Sequence, residues 1–171
     1  MPSHPPIKVL LVEDNPGDAR LIAESLPSSR FELRTCDRLA DLRQALAAGP
    51  VDIILLDLGL PDGQGLDSFH AAARLAPGIP IVVLSGLSDE DVAVNAVREG
   101  AQDYLVKGRL DDDPLPRIVR HTVERRRSDE ALRRSEARFR AAIEAGPDSF
   151  FIFEALRDAS GRVCAFNLTD M

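Results

Sequence analysis

The sequence of 171 residues has few cysteines and no long apolar run. Its two cysteines, Cys36 and Cys164, lie far apart and in no metal-ligand spacing, which favours ordinary buried thiols in a reducing compartment. No run approaches the ~20 apolar residues of a membrane span, and the N-terminus lacks the apolar core of a signal peptide. We therefore expect a cytoplasmic protein with no membrane partner.

Basic residues are scarce in the first two thirds of the chain. Residues 1–114 carry a net charge of −9, residues 115–146 a net charge of +4 and residues 147–171 a net charge of −2. The acidic body argues against direct nucleic-acid binding and favours a site that gathers cations. In the basic stretch, Glu and Asp are interleaved with the arginines, which is typical of a solvated helix face.

Strand-like and helix-like segments alternate through the first 110 residues. Strands are predicted at residues 7–12, 31–36, 51–56, 79–84 and 101–106, of which 31–36 alternates apolar and polar residues as an edge strand does. The segments between them predict helices at residues 16–26, 39–48, 65–76 and 88–99, the first with Asp14 or Asn15 as its N-cap. This alternation predicts an α/β fold with a doubly wound, five-stranded parallel sheet in the flavodoxin-like order 2-1-3-4-5.

The pattern changes at about residue 114, where a long fifth helix is predicted to continue to residue 146 as a linker or signalling helix. Thirty helical residues span ~45 Å, so its second half should extend beyond the small domain. Ile118, Leu132 and Phe139 are spaced at multiples of seven residues, as the contact positions of a coiled coil are. Half of the positions along that side of the helix are polar, however. A coiled-coil homodimer is therefore one alternative, and pairing through the fourth helix, fifth strand and fifth helix is another.

The last 25 residues predict two strands, at residues 149–156 and 162–169, that form a terminal β-hairpin. Four of the seven phenylalanines fall here, and an isolated hairpin is marginal in water, so these rings need a partner surface. We divide the chain into a body at 1–113, a linker helix at 114–146 and part of a second domain at 147–171.

Polar side chains follow the ends of four predicted strands. Glu13 and Asp14 follow the first strand, Asp57 the third, Ser85 the fourth and Lys107 the fifth. Ligands of doubly wound sheets bind beyond the carboxyl ends of the strands, so these side chains should share one site.

The residue types at that site suit phosphoryl transfer with a divalent metal. Mg²⁺ prefers hard oxygen ligands, which the carboxylates of Glu13, Asp14 and Asp57 and the Gly59 carbonyl can supply. The Asp57 carboxylate can act as a nucleophile toward phosphorus and form an acyl phosphate. Lys107 would offset charge on the phosphoryl oxygens, and Ser85 can donate its hydroxyl to one of them.

Each of these residues also has an ordinary explanation when taken alone. Glu13-Asp14 could cap a helix, Ser85 could be an ordinary strand-end hydroxyl, Lys107 could be a solvated strand end, and Tyr104 could simply pack in the core. Their joint placement at four strand ends favours the functional interpretation.

At these positions the chain resembles the receiver domain of two-component response regulators over residues 7–125. The motifs are Val12-Glu13-Asp14-Asn15, Leu56-Asp57-Leu58-Gly59-Leu60-Pro61-Asp62-Gly63, Leu84-Ser85-Gly86 and Asp103-Tyr104-Leu105-Val106-Lys107-Gly108. The resemblance implies that a histidine kinase or phosphotransfer protein phosphorylates Asp57, while Glu13 and Asp14 hold Mg²⁺. It also implies that Ser85 and Tyr104 form a switch pair. Gly108 departs from the family pattern, which has proline after the lysine, so that loop should be more pliable.

A second resemblance begins at Ser135-Glu136-Ala137-Arg138-Phe139-Arg140 and continues through Pro147-Asp148-Ser149-Phe150-Phe151-Ile152-Phe153. It is similar to the entry helix and first strands of a PAS sensor domain. We therefore expect a phosphoacceptor signalling domain, not an enzyme, that relays its state through the long helix to a PAS or output domain.

Two other classes stay open at this point. One is a receiver-like interaction module that works without phosphate. The other is the regulatory fragment of a histidine kinase or a cyclic-dinucleotide synthase, although residues 1–171 contain no nucleotide-binding or cyclase motif. A haloacid-dehalogenase-type hydrolase fits less well, because Gly59 stands where that chemistry needs a second Asp.

Overall fold

The computed structural model describes residues 5–86, 90–107, 114–144, 152–157 and 161–170. The chain divides into two units, Met1–Arg127 and Ser128–Met171. Among the described helices, none is both long enough and apolar enough to cross a bilayer.

The first unit contains a five-stranded parallel sheet in the order β2-β1-β3-β4-β5, which confirms the predicted topology. The strands are β1 (Ile7–Val12), β2 (Phe31–Cys36), β3 (Ile53–Asp57), β4 (Ile81–Ser85) and β5 (Asp103–Val106). The helices are α1 (Pro16–Ser25), α2 (Leu42–Ala47), α3 (Gly65–Leu75), α4 (Glu90–Arg98) and α5 (Pro114–Glu144).

Several predicted boundaries were wrong by a few residues, for local reasons. β3 begins at Ile53, two residues late, because its ladder with β1 starts at the Val9–Ile53 pair. β4 begins only after Pro80, which has no N–H to donate, and it extends through Ser85. β5 begins at Asp103 because the Ala101 N–H still bonds to the carbonyl of Ala96 at the end of α4. The segment predicted as one helix from residue 39 starts as a 3-10 turn, Leu39–Asp41.

Alternate residues of the buried strands face two separate apolar layers. Along β1, Leu10 and Val12 pack with the side chains of α2, α3 and α4. Val9 and Leu11 pack with those of α1 and α5. Because helices cover both faces, the central strands are apolar at nearly every position, which is the pattern that the sequence displays.

The first part of α5 belongs to the body of the first unit. Leu115, Val119 and Val123 are buried in the layer shared with α1. Arg127 forms an ion pair with Asp52, at 3.1 Å, and the other Asp52 oxygen accepts the N–H of Lys8 at 2.9 Å. Asp52 therefore ties the start of β1 to α5.

The second unit contains the rest of α5 and an antiparallel pair, β6 (Ile152–Arg157) and β7 (Val163–Asp170), so the predicted hairpin is confirmed. Residues 149–151 of its first predicted strand lie outside the described residues. In α5, the large apolar side chains of Leu132 and Phe139 are 60% and 59% exposed.

A long-range cap stabilises the start of the segment that leads into α2. The Asp62 carboxylate, from the loop after β3, accepts the N–H groups of Leu39 at 3.1 Å and Ala40 at 2.8 Å. Burial by itself raises the pKa of Asp62, but these backbone hydrogen bonds outweigh it and lower the pKa overall.

We expect Asp62→Ala to reduce the free energy of unfolding by about 0.5–2 kcal/mol, the range for a lost helix cap. The pKa of Asp62 is lower in the folded than in the unfolded protein. The stability that Asp62 contributes is therefore present above its unfolded pKa of ~3.9 and is lost as pH falls through its folded pKa. Urea unfolding of both proteins across pH should show the difference shrinking in acid. Asp62→Asn keeps an acceptor oxygen and should lose less stability. A difference in unfolding free energy between the parent protein and Asp62→Ala that does not change with pH would contradict the role of the Asp62 carboxylate as a cap.

Candidate functional site

The ammonium of Lys107 is the centre of the candidate site. Its Nζ lies 2.6 Å from Glu13 Oε2, 3.0 Å from Asp57 Oδ2 and 3.1 Å from Asp18 Oδ2. The side chains of Lys107 and Glu13 are 17% and 0% exposed, whereas that of Asp18 is 31% exposed. The ion pairs therefore form in a mostly dry pocket with one side open to water.

Three carboxylates meet beside this lysine. One oxygen each from Glu13, Asp14 and Asp57 lies within 4.8 Å of the others; Glu13 and Asp57 are buried and Asp14 is exposed. A group of hard oxygens with one open side has the chemistry of a Mg²⁺ site, in which the ion keeps several waters.

Asn15 bonds to Glu13 and is the residue that caps α1. Its side chain accepts the N–H groups of Gly17 at 2.9 Å and Asp18 at 3.4 Å, so Asn15 is the N-cap. The Asn15 N–H in turn donates to Glu13 Oε1 at 3.1 Å. The Asp14 carboxylate is not the cap, which leaves it in the acidic group.

The loop after β3 places a glycine, Gly59, beside the buried Asp57 carboxylate. The Leu58 N–H donates to the Leu84 carbonyl at 3.2 Å, and the Gly65 N–H donates to the Leu58 carbonyl at 3.0 Å. A Cβ at Gly59 would lie 3.5 Å from Asp57 Oδ2, so any side chain there would stand against the carboxylate. With glycine at this position, no side chain of residue 59 covers that oxygen.

Ser85, at the end of β4, brings a hydroxyl that has no hydrogen-bond partner in the part of the chain that the structure describes. The residue is 1% exposed, and the strand register pairs Asp57 with Leu84, immediately before it. An unsatisfied buried hydroxyl costs about 1–3 kcal/mol, so the Ser85 hydroxyl is a candidate donor to a ligand.

Tyr104 lies on β5, opposite Val83 of β4, and is half-buried against the apolar layer of α2, α3 and α4. It stands two residues before Val106, the partner of Ser85 in the sheet. Leu87 and Gly108, which flank the site in sequence, lie outside the described residues.

Burial and mutual charge set the protonation of the central pair. Burial raises the pKa of Glu13, and the nearby Asp57 adds to this, while Lys107 opposes it. Burial lowers the pKa of Lys107, but the contacts with Glu13, Asp57 and Asp18 outweigh that effect and raise it overall. Lys107 therefore stays a cation at neutral pH.

The structure brings Glu13, Asp57, Ser85 and Lys107 to the same edge of the sheet, with Asp14 beside them. Sequence reasoning missed Asp18, which touches Lys107 from the first turn of α1. No periodic signal marked it, because Asp14 precedes the N-cap Asn15 and is therefore not a helical neighbour of Asp18.

Comparisons with known proteins agree with this geometry. The family model for the response regulator receiver domain matches residues 9–120. The response regulator protein PilR of Pseudomonas aeruginosa is 33% identical over 107 residues, which cover 60% of this chain and 24% of PilR. The cell cycle transcriptional regulator CtrA of Caulobacter vibrioides is 36% identical over 120 residues, which cover 70% of this chain and 51% of CtrA.

A solved structure shows the same similarity. The crystal structure of the phosphorylated cyanobacterial phytochrome response regulator RcpA aligns with a TM-score of 0.55 and 31% identity, over 67% of this chain and 89% of that one.

A doubly wound sheet with an acidic pocket and a lysine at its carboxyl edge defines a two-component signalling domain of the phosphoacceptor class. The chain belongs to the response regulator receiver domain family. It spans about a quarter of PilR and half of CtrA, so the match concerns the receiver part of such proteins.

Proposed function

We propose that Asp57 accepts a phosphoryl group from a histidine kinase or a phosphotransfer protein, with Mg²⁺ held by Glu13, Asp14, Asp57 and the Gly59 carbonyl. The observation that carries the proposal is the contact of Asp57 Oδ2 with Lys107 Nζ at 3.0 Å, inside a group of carboxylates suited to Mg²⁺. The hydroxyl of Ser85, buried without a partner among the described residues, supports it.

The group transfer follows from these positions. An Asp57 carboxylate oxygen attacks phosphorus, and the P–N bond of the donor phosphohistidine breaks. The electron pair of that bond stays on the imidazole nitrogen, which takes a proton from solvent. Mg²⁺ supplies charge neutralisation when bound, while Lys107 and Ser85 donate to the phosphoryl oxygens and hold them in line.

The same proposal includes a switch and a relay. Ser85 would move toward the phosphoryl group, and Tyr104 would turn further inward beside β4. These movements would shift the equilibrium between two conformations of α4, β5 and α5. The helix α5, buried through Leu115, Val119 and Val123, continues for about six more turns after Val123 to Glu144. We propose that it relays the bias to a PAS or output domain that starts in residues 147–171.

The exposed Leu132 and Phe139, one heptad apart on α5, support a homodimer through this helix. The alternative pairing through α4, β5 and α5 would instead leave these two side chains exposed. A cytoplasmic location remains part of the proposal, as does the absence of direct nucleic-acid binding by the receiver.

The direct test is incubation of the protein with Mg²⁺ and a small phosphodonor such as acetyl phosphate. We expect one covalent phosphate by intact mass, and its release by hydroxylamine, which cleaves acyl phosphates and spares phosphoserine. Chelation of Mg²⁺ before the donor is added should prevent uptake. No uptake, together with no Mg²⁺ binding, would instead favour the interaction module that works without phosphate.

As pH decreases, the affinity for Mg²⁺ should fall, whereas the stability of the metal-free protein should rise. Protons compete with the metal for Glu13, and because the pKa of Glu13 is raised, affinity should begin to fall at a higher pH than for an ordinary Glu. Below that pKa the loss approaches about tenfold per pH unit for one displaced proton.

Without metal the sign reverses. A raised folded pKa means that the stability contributed by protonated Glu13 is present below the unfolded pKa and is lost as pH rises through the folded one. Mild acid should therefore stabilise the metal-free protein and weaken Mg²⁺ binding. Thermal unfolding from pH 7 to about pH 5, with and without Mg²⁺, separates the two effects. A parallel response in both series would contradict the role of Glu13.

A further inference from the structure

Lys107 has more partners at rest than it can keep once Asp57 carries a phosphoryl group. We propose that Asp18 is a positioning residue: it holds the Lys107 ammonium in the unphosphorylated protein and releases it to the phosphoryl oxygen. The inference rests on the proposed function of Asp57 and adds a residue that the acceptor chemistry alone does not require.

The number of hydrogen-bond donors on the ammonium is the first step. A lysine ammonium has three N–H donors and no acceptor. Three carboxylate oxygens surround it at 2.6, 3.0 and 3.1 Å, from Glu13, Asp57 and Asp18 respectively. A phosphoryl group on Asp57 takes over the donor that now faces Asp57 and brings further anionic oxygens, which compete with Glu13 and Asp18 for the other two donors.

Burial decides which partner gives up its donor. The Glu13 side chain is fully buried, and water cannot replace the ammonium there, so breaking that pair leaves a buried charge uncompensated. Asp57 carries the phosphoryl group, so its own contact with the ammonium passes to the phosphoryl oxygens. Asp18 is 31% exposed and lies in the first turn of α1, where water and the positive end of the helix dipole stabilise a free carboxylate. Asp18 is therefore the partner that Lys107 leaves at least cost.

If Asp18 competes with the phosphoryl group for Lys107, the competition can be measured through the affinity of the site for a phosphoryl group or its analogue. Removing the Asp18 carboxylate removes the competition, so a phosphoryl group or its analogue should bind Lys107 more tightly. If Asp18 served only to hold α1 or the lysine in place, the same change would loosen the site and weaken binding. The sign of the effect separates the two roles.

The test is calorimetric titration of beryllofluoride, an analogue of the phosphoryl group, in saturating Mg²⁺. We expect Asp18→Asn to bind it about three- to tenfold more tightly than the parent protein, the size of a partly exposed ion pair. Glu24→Gln is the matched control, because it removes one carboxylate from the same helix, where Glu24 forms an ion pair with the exposed Arg20 at 2.8 Å. This control should leave the affinity unchanged.

The outcomes are distinguishable. If the parent protein does not bind beryllofluoride, the acceptor function itself fails. If the parent binds and Asp18→Asn binds equally or more weakly, the acceptor function stands and the inference about Asp18 is overturned. Asp18→Ala should change affinity in the same direction as Asp18→Asn, since both remove the charge, and unfolding without ligand verifies that each variant is folded. An equal gain in Glu24→Gln would show a general charge effect and would also overturn the proposal.

Discussion

Asp57→Asn should abolish the uptake of hydroxylamine-labile phosphate, with a residual rate at least about 10²-fold below that of the parent protein. An amide oxygen is a poor nucleophile, and its phosphorylated product would have no stable acyl phosphate form. The substitution also removes the anion that contacts Lys107 at 3.0 Å. Intact mass after incubation with Mg²⁺ and a small phosphodonor measures the loss directly.

The Asp57→Asn variant should remain folded, so that a loss of phosphate uptake does not reflect unfolding. Asp57 contributes to the raised pKa of Glu13, so removing its charge relieves repulsion inside the pocket. Asp67→Asn is the control, because Asp67 is an exposed aspartate in the first turn of α3. Equal labile phosphate on parent and Asp57→Asn would place the acceptor elsewhere and end the assignment.

Lys107→Met should change two measurements in opposite directions. Uptake of phosphate should fall by about 10²–10³-fold, the usual effect of losing a donor aimed at charge that develops in the transition state. Affinity for Mg²⁺ should rise, because the substitution removes a cation within 3.1 Å of Glu13, Asp57 and Asp18 and leaves their charge for the metal.

Stability adds a third readout for the same variant. Without Mg²⁺, the carboxylates of Lys107→Met repel one another and the midpoint of thermal unfolding should fall; added Mg²⁺ should restore much of it. Lys8→Met is the matched control, because Lys8 is the only other lysine of the chain and lies near the amino end of β1. Weaker Mg²⁺ binding in Lys107→Met would show that the lysine supports the metal site instead of competing with it.

Much of this molecule could be predicted from local patterns. The apolar run of β3 and its neighbours, each separated by an amphipathic helix, determined a parallel sheet covered on both faces. Right-handed crossovers then left few topologies, of which 2-1-3-4-5 is the observed one. Because every strand of such a sheet points the same way, residues at strand ends share one edge, and Glu13, Asp57, Ser85 and Lys107 could be placed together.

Tertiary structure decided the contacts between residues far apart in sequence. Asp18 reaches Lys107 across 89 positions, and Asp62 caps the start of the α2 segment across 22 and 23. Arg34 donates to the carbonyl of Ala45 in α2 and to those of Gly49 and Pro50 after that helix. No sequence periodicity marks these pairs, since each depends on the relative positions of two elements in the folded protein.

The sequence by itself determined which segments form strands and helices and which charged groups gather at one edge, because periodicity and strand direction are local properties. Only the tertiary structure decided which oxygen meets which nitrogen and which side chains lose contact with water. Those choices follow from strand register and helix packing, which are set by the whole core at once.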